Sequence, residues 1–136
     1  MQRVSERDLR YNDKEGLYYY GDSPFTGVAF TTYPNGSPMS EAEYKDGLFN
    51  GVSRGWWESG KLEAESNYAF GALHGTSRMW HASGQLAEEE EHEHAILVRS
   101  KKWDEAGKLV EEFELKESDP GYQALLQSRK AYGSTS

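Results

Sequence analysis

A chain of 136 residues has room for one domain with a modest core, not two. Ile, Leu and Val are sparse beside an aromatic content of 13%, which disfavours a helical core and suits sheets faced with Tyr and Trp. Lys and Arg number 15 against 23 Asp and Glu; the net charge of -8 disfavours nucleic acid and anionic membrane as partners and favours basic ones, and the absence of cysteine excludes disulfides and thiolate metal sites.

The first residues, Met1 to Glu6, start no hydrophobic h-region, and the longest aliphatic run, Ala95 to Val98, is far too short to span a bilayer. A soluble, cytoplasmic chain is expected, organised as a single domain over 1–136. Leu17 to Gly27, with the run Tyr18, Tyr19 and Tyr20, reads as a shortened opening unit of a repeat.

From there the chain repeats on itself with a shift of 24 residues. Gly27, Gly51 and Gly75 form one column; Gly36, Gly60 and Gly84 lie nine residues on, and Gly47, Gly71 and Ala95 eleven further. Tyr33, Trp57 and His81 make an aromatic column, Tyr44, Tyr68 and His92 a second, and Glu41, Glu65 and Glu89 an acidic one. The register then slips by one residue, after which Gly107, Leu109 and Glu112 repeat the spacing of Gly84, Leu86 and Glu89. Well-kept units flanked by degraded ones are how a repeat sheet ends itself.

Each unit reads as a β-hairpin around a Gly-centred turn. Asn35-Gly36, Ser59-Gly60 and Ser83-Gly84 are expected as two-residue type I′ turns, because glycine and asparagine accept the positive φ that such turns require. This register sets Tyr33 opposite Pro38, Trp57 opposite Leu62 and His81 opposite Leu86; carried back, it sets Arg54 opposite Glu65 and Arg78 opposite Glu89. Alternation then gathers Tyr33, Trp57, Leu62, Tyr68, Leu86 and small Ala and Ser residues on a buried face. The opposite face carries Arg54, Arg78, Trp56, Trp80, Glu41, Glu43, Glu63, Glu65, Glu89 and Glu91. Two readings of that face stand side by side. It is a solvated array of ion pairs, each worth at most ~1 kcal/mol, or it is a binding surface, since exposed Trp among acids suits a basic protein partner. On the second reading the contact residues are Trp56, Trp80, Glu63, Glu65, Glu89 and Glu91, with Tyr18, Tyr19 and Tyr20 as second choice.

His92 and His94 would share one face of a strand, next to the carboxylates of Glu89 to Glu93; the spacing is common by chance, and no metal or cofactor is expected. After the repeats, Ser118-Asp119-Pro120 is a helix start signal, and Tyr122, Leu125, Leu126 and Arg129 recur at helical spacing, so a short helix is expected over 118–132. It either covers the open end of the last hairpin or joins a partner interface. No GxSxG, phosphate loop or dinucleotide motif is present, and no nucleophile stands with an orienting partner, so an enzyme is not expected.

The stretch Phe25-Thr26-Gly27 with Tyr33-Pro-Asn-Gly36, Glu41-Ala-Glu-Tyr44-Lys-Asp-Gly47, Asn50-Gly51 and Trp57-Glu-Ser-Gly60-Lys-Leu62 resembles the MORN-repeat variant, more narrowly its bacterial antitoxin and immunity proteins. The resemblance spans residues 16–115; departures fall at His81, His92 and Ala95 and at the slip before Gly107. It implies an all-β fold, an elongated twisted antiparallel sheet of consecutive hairpins with the short C-terminal helix. It also implies binding and neutralisation of a cognate toxin by covering its active site. The acidic balance suits a toxin with a basic surface, since complementary charge speeds association. The alternative is a structural or membrane-associated MORN scaffold, against which the net charge of -8 and the lack of a basic amphipathic segment weigh.

Overall fold

The computed structural model describes residues 1–132. Alternating polar and apolar runs punctuated by glycine produce strands almost throughout. In chain order they are β1 (Arg3–Ser5), β2 (Arg10–Asn12), β3 (Leu17–Tyr20), β4 (Ser23–Pro24), β5 (Gly27–Thr32), β6 (Pro38–Lys45) and β7 (Leu48–Trp56), with a 3-10 turn at Glu6–Asp8. They continue with β8 (Leu62–Ala69), β9 (Ala72–Leu73), β10 (Gly75–Trp80), β11 (Leu86–Glu93), β12 (Ile96–Trp103) and β13 (Leu109–Glu114), followed by helix α1 (Pro120–Tyr132). The main sheet runs β1-β5-β6-β7-β8-β10-β11-β12-β13, with β9 on β8; β2, β3 and β4 form a small sheet of their own. The meander is antiparallel except for β1, which lies parallel to β5, so the sheet is mixed at its first edge. No helix of the described residues is long and apolar enough to cross a membrane.

The turns fall into two kinds, and they are not where the sequence placed them. At Tyr33–Ser37 the Gly36 N–H donates to the Tyr33 carbonyl and the Tyr33 N–H to the Ser37 carbonyl; Trp57–Lys61, His81–Gln85 and Asp104–Lys108 repeat this. Gly36, Gly60, Gly84 and Gly107 have φ of 89, 94, 97 and 86°, whereas the residue before each is not left-handed. These are three-residue loops ending in a left-handed glycine, not two-residue type I′ turns. Tyr33, Trp57 and His81 therefore face Ser37, Lys61 and Gln85, and the expected partners Pro38, Leu62 and Leu86 pair with Thr32, Trp56 and Trp80 instead. One extra residue on the returning strand, Met39, Glu63, Ala87 or Val110, makes a β-bulge that takes up the difference. Beyond the bulges the expected register returns, and Arg54–Glu65 and Arg78–Glu89 stand opposite each other.

The type I′ turns lie between the units, at Asp46-Gly47, Phe70-Gly71 and His94-Ala95, where both residues have positive φ. Each is locked to the preceding unit in the same way. The first N–H donates to a side chain, Thr26 Oγ1 (2.8 Å), Asn50 Oδ1 (3.0 Å) or His74 Nδ1 (3.0 Å). The second donates, at 2.8 Å each time, to the carbonyl of Phe25, Phe49 or Leu73. Above these turns the rings stack as a ladder, Phe25–Tyr44 at 5.5 Å, Tyr44–Phe49 at 4.8 Å and Phe49–Tyr68 at 5.1 Å.

The buried core is small and lies at the start of the sheet: Val4, Phe25, Ala29 and Tyr44, with Leu9, Tyr18, Ala42 and Phe49 packed against it. Further along, neither face is closed. Tyr33, Trp57, Leu62, Tyr68 and Leu86, expected in the core, are half-buried, as the tryptophans of the other face are. Helix α1 begins at Pro120, after a turn closed by Asp119, whose carboxylate accepts the Lys116 N–H at 2.8 Å. It buries Leu125, while Leu126 stays 39% exposed. Arg129 donates two bonds, 2.8 and 3.0 Å, to the buried Glu93, and Ser128 meets His94. The helix thus covers the Glu93–His94 turn and leaves the last strand, β13, exposed along its whole length.

Candidate protein-binding face

Residues opposite each other on paired strands share a face, so the register defines rows across the sheet. One row reads Glu41, Arg54, Glu65, Arg78, Glu89, Lys101, Glu112, one residue from each of β6, β7, β8, β10, β11, β12 and β13, with the sign alternating at every step. Its geometry is that of real ion pairs: Arg54 Nε to Glu65 Oε2 and Arg78 Nε to Glu89 Oε2 are both 2.8 Å, and Arg3 reaches Glu41 at 3.1 Å. Glu91 pairs with Arg99 in the neighbouring row.

Two residues along the strands lies an apolar row. The bulges swing Leu62 and Leu86 onto this face, where they pair with Trp56 and Trp80, and Leu109 pairs with Trp103. Trp56, Trp80 and Trp103 therefore stand on alternate strands, about 10 Å apart, each beside a leucine. Trp103 belongs to the column of Trp56 and Trp80 but sits 23 residues after Trp80 rather than 24. The slip has a local origin: β7 carries two extra residues against β6, whereas β12 carries one, Val98, against β11. An open groove of about 420 Å³ at the far end of this face is lined by Arg78, Glu89, Arg99, Lys101, Glu112 and Phe113, among others.

The MORN repeat variant family matches residues 25–46, 49–69 and 73–94, the three units bounded by the interlocked turns. Among curated proteins, the Immunity protein YwqK of Bacillus subtilis (strain 168) is 59% identical over 107 residues, covering 79% of this chain and 69% of that protein. The chain belongs to the MORN-repeat variant proteins of the immunity-protein type. Among solved structures, a chain from the accessory secretory protein 1, 2 and 3 structure of Streptococcus pneumoniae aligns with 98% of this chain and 28% of its own length. At 14% identity and a TM-score of 0.39, neither fold nor function follows from that likeness.

On this MORN sheet the expected contact residues divide into two groups. Trp56, Trp80, Glu63, Glu65, Glu89 and Glu91 fall on the one charged face, all half-buried, Glu63 at a bulge. The tyrosines are scattered. Tyr18 packs inward, its ring 5.5 Å from Tyr44 and 5.8 Å from Phe49. Tyr19 donates to Glu15 at 2.7 Å under the Arg10 guanidinium, and Tyr20 is 41% exposed against Phe25. The histidines do not act together either. His94 sits in the type I′ turn between His74 and Tyr132, while His92 ends the Tyr44–Tyr68 column with its Nδ1 unpartnered and its pKa lowered by burial. Among the described residues no group of three His, Asp or Glu side chains is placed to hold a metal.

Proposed function

We propose that this chain is the immunity partner of a protein toxin and acts by binding, without chemistry of its own. One observation carries the reading: a row of three Trp–Leu pairs runs beside a ladder of alternating charges on a sheet face with no other layer over it. Half-exposed Trp in a continuous band is the anchor type found at interface hot spots, and a rim of fixed charges sets orientation and excludes wrong partners. The kinship with an immunity protein supports the same reading.

In this account Trp56, Trp80 and Trp103 enter the toxin surface, and Glu63, Glu65, Glu89 and Glu91 meet its basic groups. Glu63 forms no ion pair among the described residues, so its charge is available to a partner. The Arg54–Glu65 and Arg78–Glu89 pairs, each 2.8 Å, hold their side chains in place before binding, which lowers the ordering cost. The complex forms in the cytoplasm and covers the toxin's active site. The test is co-expression: a toxin captured with this chain should arrest growth alone and lose its effect when the wild-type chain is present. Toxicity undiminished by this chain would overturn the reading.

A further inference from the structure

We infer that the open edge of β13 is a second docking element, which takes up a basic, extended segment of the partner as an additional strand. The two edges of the main sheet differ. At one end β1 is three residues long and runs parallel to β5; at the other, β13 has six residues, all exposed, with Leu109, Val110 and Phe113 at 45, 59 and 37%. Long exposed edges with apolar side chains are templates for strand addition, and natural sheets blunt those they do not use. Helix α1 packs over β12 and the turn after Glu93 and leaves this edge uncovered; the Val110 bulge and the three glutamates of β13 guard it against apolar or acidic strands but not against a basic one.

Charge states what kind of strand fits. Of the five cross-strand rows that reach this edge, three end on a carboxylate after a cation: Glu89–Lys101–Glu112, Glu91–Arg99–Glu114 and, on the other face, Glu88–Lys102–Glu111. The alternation leaves the next strand position in these three rows for a cation. A second copy of the chain does not supply it: pairing β13 antiparallel with itself over its full length sets Glu111 against Glu112, which is unfavourable. An incoming antiparallel strand that places basic residues opposite Glu114, Glu112 and Glu111, and apolar ones opposite Phe113 and Val110, extends all three rows.

This inference rests on the immunity reading for the origin of the segment, but its chemistry is testable by itself. The probe is a synthetic ten-residue peptide with Lys-Val-Arg-Lys-Ile at its centre, added to the full chain; a control peptide carries Glu in place of each basic residue. Backbone amide exchange over Leu109–Glu114 should slow at least tenfold with the basic peptide only, and the effect should fade as salt rises. E111K/E112K/E114K should weaken peptide binding at least tenfold. Because that variant could disturb β13, the exchange map of the unaltered chain is decisive. Unchanged exchange in β13, or protection centred on the Trp56–Trp80 row, overturns the inference. The two readings fail separately: a neutralised toxin that leaves β13 in fast exchange removes the edge and keeps the immunity role, whereas peptide pairing without any neutralised toxin does the reverse.

Discussion

Replacing Ala95 by glycine should stabilise this protein. Ala95 is the second residue of a type I′ turn with φ of 67°, in the column where Gly47 and Gly71 stand with φ of 86 and 87°. A left-handed backbone costs an L-residue roughly 1–2 kcal/mol, and the greater chain entropy of unfolded glycine returns about 0.4–1 kcal/mol of that gain. The net is about 0.5–1 kcal/mol, which for a chain of this size raises Tm by about 3 °C. The side chain is exposed and its N–H bond to the Leu73 carbonyl is made by the backbone, so no contact is lost. The reverse substitutions give the scale. At Gly60 a methyl meets nothing within 4 Å and only the conformational cost applies. At Gly71 it lies 3.3 Å from Leu48 Cδ2, and at Gly47 it lies 2.9 Å from Leu17 Cβ and 3.0 Å from the Tyr18 carbonyl oxygen. Calorimetry and urea unfolding should therefore rank the losses Gly60→Ala, Gly71→Ala, Gly47→Ala in rising order. A lower Tm for Ala95→Gly, or equal losses at the three glycines, would refute the assignment of these turns.

Arg129→Met removes the two bonds that hold α1 on the buried Glu93 and should undock the helix; urea unfolding should show a lower midpoint, and loss of exchange protection in the helix shows where. His92→Tyr should continue the Tyr44–Tyr68 column and remove an acid-sensitive group. Burial holds His92 below its ordinary 6.5, so its stabilising contribution is present above that value and lost as pH falls through the folded one; the variant's Tm should fall less between pH 7 and pH 5 than the wild type's. Glu88 has the opposite sign: burial, then the hydrogen bond with Glu90, raises its pKa, so stability is lost as pH rises through the folded value. Glu88→Gln should accordingly stabilise at pH 7 and give no advantage below the ordinary carboxylate value of 4.5.

The glycine, aromatic and glutamate columns were enough to read the hairpin meander, because each carries a local backbone requirement. Arg54–Glu65 and Arg78–Glu89 were also legible, but for an incomplete reason. The expected turns were one residue short, and the bulges at Glu63 and Ala87 restored the register beyond them. A bulge leaves no residue signature of its own, so Leu62 and Leu86 were assigned to the wrong face and the Trp–Leu row went unseen. Trp103 was hidden because β12 carries one extra residue, Val98, where β7 carries two. Asp46-Gly47 has the composition of a type I′ turn, yet these turns were expected at Asn35-Gly36, Ser59-Gly60 and Ser83-Gly84; Phe70-Gly71 and His94-Ala95 adopt one through tertiary locks that no local pattern displays. Tyr18 was grouped with Tyr19 and Tyr20 as a second-choice contact; the small second sheet turns it toward the core instead.

The most direct test of the account is neutralisation of a captured toxin by the double variant Glu65→Lys with Trp80→Ala, measured as growth on co-expression, beside the variant's own Tm. The account predicts a variant that still folds, with a Tm lowered by the cation set between Arg54 and Arg78, and whose protection is lost, with toxin affinity down at least a hundredfold, or about 3 kcal/mol. Full protection by that folded variant would contradict it and move the interface off this face.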